Sequence, residues 1–243
     1  MNKLSSKSLW HLDTSSSILK TEELIPLDDH VVLVKAQYSY VSLGTERLVS
    51  QGRVPTSLKE EMKVNYMGGS FDFPIKYGYS LVGSTLDGRN VHLMHPHQDL
   101  LYAREVDLYT LPIDLPIKRA ALLSNMETCV NALWDAQLTG YEKVLVIGFG
   151  GLGALLGMVL KYYANIDPAI KEIDQNKINQ AKGLEFRMDE NDDYDVIFHT
   201  SATGQGLQYA IEHIKKEGSI IEMSWYGTTK INIDLGGKFH YNR

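Results

Sequence analysis

The segment Lys143-Val-Leu-Val-Ile-Gly-Phe-Gly-Gly-Leu-Gly153 limits what this chain can fold into more than any other. Val144 to Ile147 are continuous, apolar and partly β-branched, which predicts a short, fully buried strand. Gly148, Gly150 and Gly153 follow at G-x-G-x-x-G spacing, and Ala154, Leu155, Leu156, Met158, Val159 and Leu160 continue as a helical apolar run. The first glycine allows a tight turn, the second lets backbone approach a pyrophosphate, and the third lets helix pack closely on strand. The amides opening that helix, among them Gly151 and Leu152, form an anion site with its dipole. The motif alone is weak evidence. Here a second predicted strand, Ala169-Ile-Lys-Glu-Ile-Asp174, follows a turn at Asp167-Pro168. Asp174 lies about twenty residues beyond the glycines, where a carboxylate accepts hydrogen bonds from an adenosine ribose. Its charge would repel a 2′-phosphate, so NAD(H) is expected in preference to NADP(H). The alternative is an ordinary surface-turn aspartate.

A length of 243 residues accommodates one large domain or two small ones, and 44% apolar residues suffice for real cores. A net charge of −6 argues against nucleic acid as a partner. Cys129 is the single cysteine, which excludes an internal disulfide and a four-cysteine zinc lobe. No apolar run reaches membrane-spanning length, and Met1-Asn-Lys-Leu-Ser-Ser-Lys-Ser8 has no signal-peptide core. These features predict a soluble, cytoplasmic protein with a small-molecule substrate.

Up to about Pro116 the texture is β-rich. Strands are predicted at Val31–Ala36, Tyr79–Ser84, Asn90–Met94, Leu100–Ala103 and Leu108–Leu111, spaced as in a small barrel or sandwich. An amphipathic helix is predicted from about Lys118 to Gln137, stopped by Gly140. The expected domains are therefore 1–117 and 118–243. Later strands are predicted at Tyr194–His199, Ser219–Met223 and Lys230–Asp234.

A barrel-like first domain, a linking helix and then a Rossmann unit is the layout of the medium-chain dehydrogenase/reductase superfamily. Ser42-Leu-Gly-Thr-Glu-Arg-Leu-Val49 with Gly52-Arg-Val-Pro55, Phe73-Pro-Ile-Lys-Tyr-Gly-Tyr-Ser80, Pro96-His-Gln-Asp99, and Asn125-Met-Glu-Thr128 through Asn131-Ala-Leu-Trp-Asp135 carry the resemblance. The chain is similar to a zinc-less branch that includes the bacteriochlorophyllide hydroxyethyl dehydrogenases. The resemblance implies an α/β fold: a GroES-like β-barrel domain followed by an incomplete, doubly wound parallel Rossmann sheet. It also implies hydride transfer between NAD(H) and an alcohol/ketone pair without zinc.

Zinc-dependent members place cysteine, Gly-His-Glu and a second cysteine where this chain offers Ser42, Gly78-Tyr79-Ser80 and Glu127. That set does not make a catalytic zinc site, so no metal is expected. His92, His95 and His97 cluster, but Pro96 interrupts regular pairing, and a structural or surface role is expected for them. By resemblance, Asn131 matches a position near the nicotinamide ring. Thr200-Ser201-Ala202 and Ser224-Trp225-Tyr226, following later strands, are its other natural neighbours, in a crevice between the two domains. Tyr79 replaces the zinc-binding histidine and is the expected oxyanion donor. Ser42, Glu46 and Glu127 are expected to shuttle protons or orient substrate. The alternatives are a core tyrosine at Tyr79, a Glu46 paired with Arg47 or Arg53, and a helix-surface acid at Glu127.

Similar proteins continue into another sheet strand and closing helices after Phe239-His-Tyr-Asn-Arg243, so the chain reads as shortened. A raw sheet edge would accept a second copy, making a homodimer the expected assembly. Two other functions stay open: a zinc-independent quinone or enone reductase, and a shortened, non-catalytic nucleotide-binding protein.

Overall fold

A computed structural model describes residues 4–26, 28 and 30–241. Two compact units divide it, Met1–Ser124 and Asn125–Arg243.

Unit 1 contains β1 (Ser5–His11), β2 (Ser17–Glu23), β3 (Val31–Ser39), α1 (Thr45–Ser50), β4 (Gly68–Gly69), β5 (Ile75–Lys76), β6 (Leu81–Thr85), β7 (Asn90–Leu93), β8 (Leu100–Arg104), β9 (Tyr109–Thr110) and α2 (Ile117–Ala120). Its strands form two antiparallel sheets, ordered β2-β1-β5-β4 and β8-β3-β6-β7-β9. The second sheet aligns Val34 with Leu101 and Leu81 with Leu93. Those four, with Val91 and Ala103, form a fully buried core. Alternation along each strand sends these apolar side chains to the same face, so the register follows from the pattern.

The β1–β2 hairpin escapes prediction, because Ser5-Ser-Lys-Ser-Leu-Trp-His11 has too few apolar residues to show a period. The predicted helix 118–137 is also corrected. It divides into α2 and α3 (Leu123–Ala136), with Ala121 and Leu122 between them.

Unit 2 contains the rest of α3, then β10 (Val144–Ile147), α4 (Gly151–Tyr162), β11 (Ala169–Lys171), α5 (Gln175–Gly183), β12 (Arg187–Met188), β13 (Tyr194–His199), α6 (Gly204–His213), β14 (Ile214–Glu222) and α7 (Lys238–Tyr241). Its five strands are parallel, in the order β12-β11-β10-β13-β14. The chain builds outward from β10 through β11 to β12, then crosses back to lay β13 on the other side of β10. That reversal is the switch point of a doubly wound sheet. All four β10 residues are buried, as the unbroken apolar run predicts. Leu156, Val159 and Leu160 of α4 pack with Val144, Val146 and Ile170 in one core.

Two strand predictions fail here. β11 stops at Lys171, which leaves Glu172 and Asp174 in the turn into α5. Lys230–Asp234 forms no regular element: this segment lies near α6, where the Asp234 amide donates to Gln208 Oε1 at 2.7 Å. Among the described residues no helix is long and apolar enough to cross a membrane.

Candidate functional site

The glycine turn after β10 is tied to both neighbouring strands. Gly148 N–H donates to Lys171 O at 2.8 Å, and the Thr200 hydroxyl donates to Ile147 O and Gly148 O at 3.0 Å each. Gly148 has φ +96°, and a Cβ there would lie 3.0 Å from Ser201 backbone. A Cβ on Gly153 would lie 2.0 Å from Gly148 O, so this glycine is what lets α4 start against the strand. Gly150, which caps α4, faces open space. Two glycines thus close the turn, and the third leaves backbone accessible to a ligand.

The open space is a cavity of about 510 Å³ outside the carboxyl ends of β10, β11 and β13. Its lining includes Gly148, Gly150, Glu172, Asp174, Thr200 and Ser201. Asp174 lines it while capping α5, accepting from Asn176 N at 2.8 Å and Lys177 N at 3.2 Å. Glu172, which the sequence reading passed over, brings a second carboxylate. It accepts from Phe149 N at 2.7 Å, Ile173 N at 2.8 Å and Asp174 N at 3.0 Å, clamping the glycine turn to the end of β11. Burial alone would raise the Glu172 pKa, but these backbone amides and Lys177 hold it below the usual carboxylate range. The alternation Lys171-Glu-Ile-Asp174 held the signal for this second acid.

Ser201 belongs to a further polar network. β13 and β14 align His199 with Glu222, and the two side chains meet at 2.8 Å through His199 Nδ1 and Glu222 Oε2. His199 Nε2 lies 2.6 Å from the Ser201 hydroxyl, which in turn lies 2.9 Å from that of Thr203. Ser224 is tied in as well: its amide donates to Glu222, and its hydroxyl accepts from Ala202 N at 3.0 Å. Trp225 follows Ser224 in the chain, is half-buried and is not among the residues lining the cavity. Gly151 and Leu152 form the first turn of α4. Glu127 and Asn131 are exposed, one turn apart on α3, where the Asn131 amide donates to Glu127 Oε1 at 2.7 Å.

In unit 1 the structure brings Ser42, Glu46 and Tyr79 together. The turn opening α1 puts Ser42 and Glu46 on one face, with Glu46 N–H donating to Ser42 O at 2.9 Å. Glu46 Oε1 accepts the Ser42 amide at 2.8 Å, and the carboxylate is only 4% exposed. Its other oxygen bonds to His97 Nε2, where the sequence suggested Arg47 or Arg53. The opposite ring nitrogen of His97 bonds to the Ser39 hydroxyl. Tyr79 packs edge-on against Tyr77, with 6.3 Å between ring centroids, and the Ser42 and Thr45 hydroxyls lie near its phenol. Burial pushes its phenol up, the two hydroxyls oppose that, and the Glu46 charge adds to it.

The histidine expectation is corrected in part: none of the three is a surface residue. His92, His95 and His97 are 1%, 3% and 8% exposed. His95 stacks on Tyr66, and its Nδ1 lies 2.8 Å from Pro96 O. His97 joins the Glu46 cluster. Pro96 ends the strand pattern, so His95 and His97 take up different surroundings instead of sharing a strand face. Among the described residues no group of three or more His, Cys, Asp or Glu side chains is placed to hold a metal ion.

No protein-family model matches the sequence, and no curated protein does. Solved structures match over nearly the whole chain. Acetophenone reductase from Geotrichum candidum, solved with NAD, is 15% identical; this chain is covered to 99% and that one to 82%, with a TM-score of 0.78. The protein CAD from Helicobacter pylori, solved with NADP(H), is 13% identical, with 100% and 82% covered and a TM-score of 0.77. 2R,3R-Butanediol dehydrogenase from Bacillus subtilis is 16% identical, with 97% and 82% covered and a TM-score of 0.75. The shared fold is a pair of antiparallel, GroES-like sheets followed by a parallel Rossmann sheet. At such identities the likeness is one of fold.

Proposed function

We propose that this chain is an NAD(P)(H)-dependent oxidoreductase acting on an alcohol/ketone pair without a catalytic zinc. The observation that carries the reading is the cavity over the glycine turn, where Gly150 leaves open space and Gly148 and Gly153 hold backbone in close approach. A pyrophosphate fits there, against the amides that open α4. Asp174 and Glu172 would meet the adenosine ribose, and two carboxylates at that point favour NAD(H) over NADP(H). Relatives in fold solved with NAD or NADP(H) support the cofactor class.

A bound nicotinamide would supply or accept the hydride. The chain's own part is to hold the substrate oxygen and handle its proton. Tyr79, whose phenol burial keeps protonated, donates to the carbonyl oxygen as hydride arrives at carbon, and accepts the proton back in the reverse direction. Ser42, Tyr79 and Glu127, which by resemblance stand where zinc-dependent members have two cysteines and a histidine, do not supply the donor set of a catalytic zinc, and Glu127 is bonded to the Asn131 amide, so no step is assigned to one.

The first test is a fluorescence titration with NADH and NADPH, followed by ketone reduction assayed with EDTA present. Saturable NADH binding in the micromolar range and chelator-insensitive turnover are expected. Failure to bind either nucleotide would overturn the reading.

A further inference from the structure

β13 ends on His199, whose side chain is fully buried, and the turn behind it carries Ser201 and Thr203 to the start of α6. The contacts among these side chains and Glu222 of β14 run one way. The Glu222 carboxylate only accepts, so His199 Nδ1–H donates to its Oε2 at 2.8 Å. In the neutral ring the lone pair of Nε2 then accepts from the Ser201 hydroxyl at 2.6 Å. With its own proton so placed, Ser201 accepts from the Thr203 hydroxyl at 2.9 Å, and Thr203 accepts from Gly206 N at 3.0 Å. Burial would raise the Glu222 pKa, but its bonds to His199 and the Ser224 amide hold it below the usual carboxylate range.

Access differs along this chain of bonds. His199 has no exposed surface, whereas Ser201 is half-buried and lines the cavity of about 510 Å³. Thr203, Gln205 and Gly206, at the opening of α6, line the same cavity. A Cβ on Gly206 would lie 2.4 Å from Ser201 Oγ and 2.5 Å from His199 Nε2. The helix therefore closes onto this pair only because residue 206 has no side chain. A hydroxyl open to a cavity, a base shielded behind it and a carboxylate that orients the base are the parts of an activated serine nucleophile.

We propose that Ser201, His199 and Glu222 form an acyl-transfer site, giving this chain a hydrolytic activity on carboxylic esters small enough for the cavity. The inference goes beyond the oxidoreductase reading and needs no nicotinamide. Ser201 Oγ bonds to the acyl carbon as its proton passes to His199 Nε2, and the carbonyl π pair moves onto oxygen. That oxyanion forms in the cavity lined by the first turn of α6, at the positive end of the helix dipole. The ester C–O bond then breaks, the leaving alkoxide takes the proton from Nε2, and an acyl-Ser201 remains. Water adds to the acyl carbon and gives its proton to Nε2. The bond to Ser201 breaks, and Oγ recovers the proton. Ester and water give acid and alcohol, with nothing oxidised or reduced. Glu222 touches no reacting atom and is a positioning residue: it holds the ring with Nε2 toward Ser201.

The test uses the full chain without nucleotide. A fluorophosphonate probe, which bonds stably to activated serines, should label the protein, and peptide mass mapping should place the label on Ser201. Hydrolysis of p-nitrophenyl acetate should be saturable and should be lost in Ser201→Ala. Glu222→Gln should lower kcat by about 10²-fold or more at unchanged KM, and slow labelling to match. A merely structural acid would shift the unfolding midpoint without that split between kcat and KM. No label on the folded wild type, a label on another residue, or unchanged hydrolysis in Ser201→Ala would overturn the proposal. Should Ser201→Ala fail to fold, the position of the label decides alone. Saturating NADH should slow labelling by about tenfold or more, because the cofactor reading fills the same cavity. Ser201 labelled at the same rate with NADH present would refute that reading of the cavity and leave the acyl-transfer site standing.

Discussion

Tyr79 sits half-buried among Ser42, Thr45 and Tyr77, with the Glu46 carboxylate nearby. A phenol in those surroundings holds its proton at neutral pH and can give it to a developing oxyanion. Tyr79→Phe keeps the ring and removes the donor. Reduction of a ketone substrate should fall by about 10²-fold or more while NADH affinity is retained, as steady-state kinetics beside a binding titration would show. A variant with full turnover would exclude the phenol as donor. Asp174 calls for a subtler change, since its carboxylate also caps α5. Asn is an equally good cap, whereas Ala would cost about 1 kcal/mol of stability and confuse the result. Asp174→Asn should weaken NADH and improve NADPH, shifting their affinity ratio roughly tenfold toward NADPH at unchanged unfolding midpoint. An unaltered ratio would remove Asp174 from cofactor choice. Asp174 is legible as a candidate from its spacing beyond the glycines, and Ser42, Glu46 and Tyr79 become candidates through the family resemblance. His97 is legible by neither route: nothing in His95-Pro-His97 says which chain segment will face each ring, and Glu46 lies 51 residues away.

At the scale of elements, periodicity located β10, α4 and β13 because each is buried over its whole length or along one continuous face. It overran at β11, where Glu172 and Asp174 leave the strand to bind amides of the glycine turn and of α5, and it missed β1 and β2, whose partners rather than their apolar content make them strands. The glycine turn itself is fixed by sterics. In Gly153→Ala the new methyl would press on the Gly148 carbonyl, a backbone atom that cannot swing aside. Backbone adjustment of this kind costs about 1–3 kcal/mol. It would also move the amides that open α4. We expect a lower urea midpoint together with a loss of NADH binding of at least tenfold. Gly183→Ala, where nothing lies within 4 Å, is the control and should leave both unchanged. Equal behaviour of the two variants would mean that the turn has more slack than its geometry implies.

Over the whole molecule, the two units answer acid differently. In unit 1, burial lowers His92 and His95 from 6.5 to about 4. His92 Nδ1 has no partner, so protonation there gains no acceptor. For a base whose folded pKa is depressed, the unfolded chain takes up protons first, and stability falls as pH drops from about 6.5 toward 4. Between about pH 7 and 5 the loss amounts to roughly 2 kcal/mol per histidine as an upper bound. In unit 2 the groups with resolved shifts that titrate in the acid range are carboxylates held low. Glu172, Asp189 and Glu222 are raised by burial, but hydrogen bonds and nearby cations more than reverse this. Their contribution is complete above the ordinary carboxylate pKa and is lost only as pH falls through the lower folded values. Unit 1 should therefore fail first on acidification. Trp10 in unit 1 reports on it, and NADH binding reports on unit 2. Trp10 emission, isolated by replacing Trp134 and Trp225 with Phe, should shift at higher pH than that at which NADH binding is lost. His95→Phe, which keeps a ring against Tyr66 and cannot be protonated, should move the Trp10 transition to lower pH and leave the NADH transition in place. Coincident transitions in the wild type, or no response to His95→Phe, would show that the buried histidines do not govern the acid stability of unit 1.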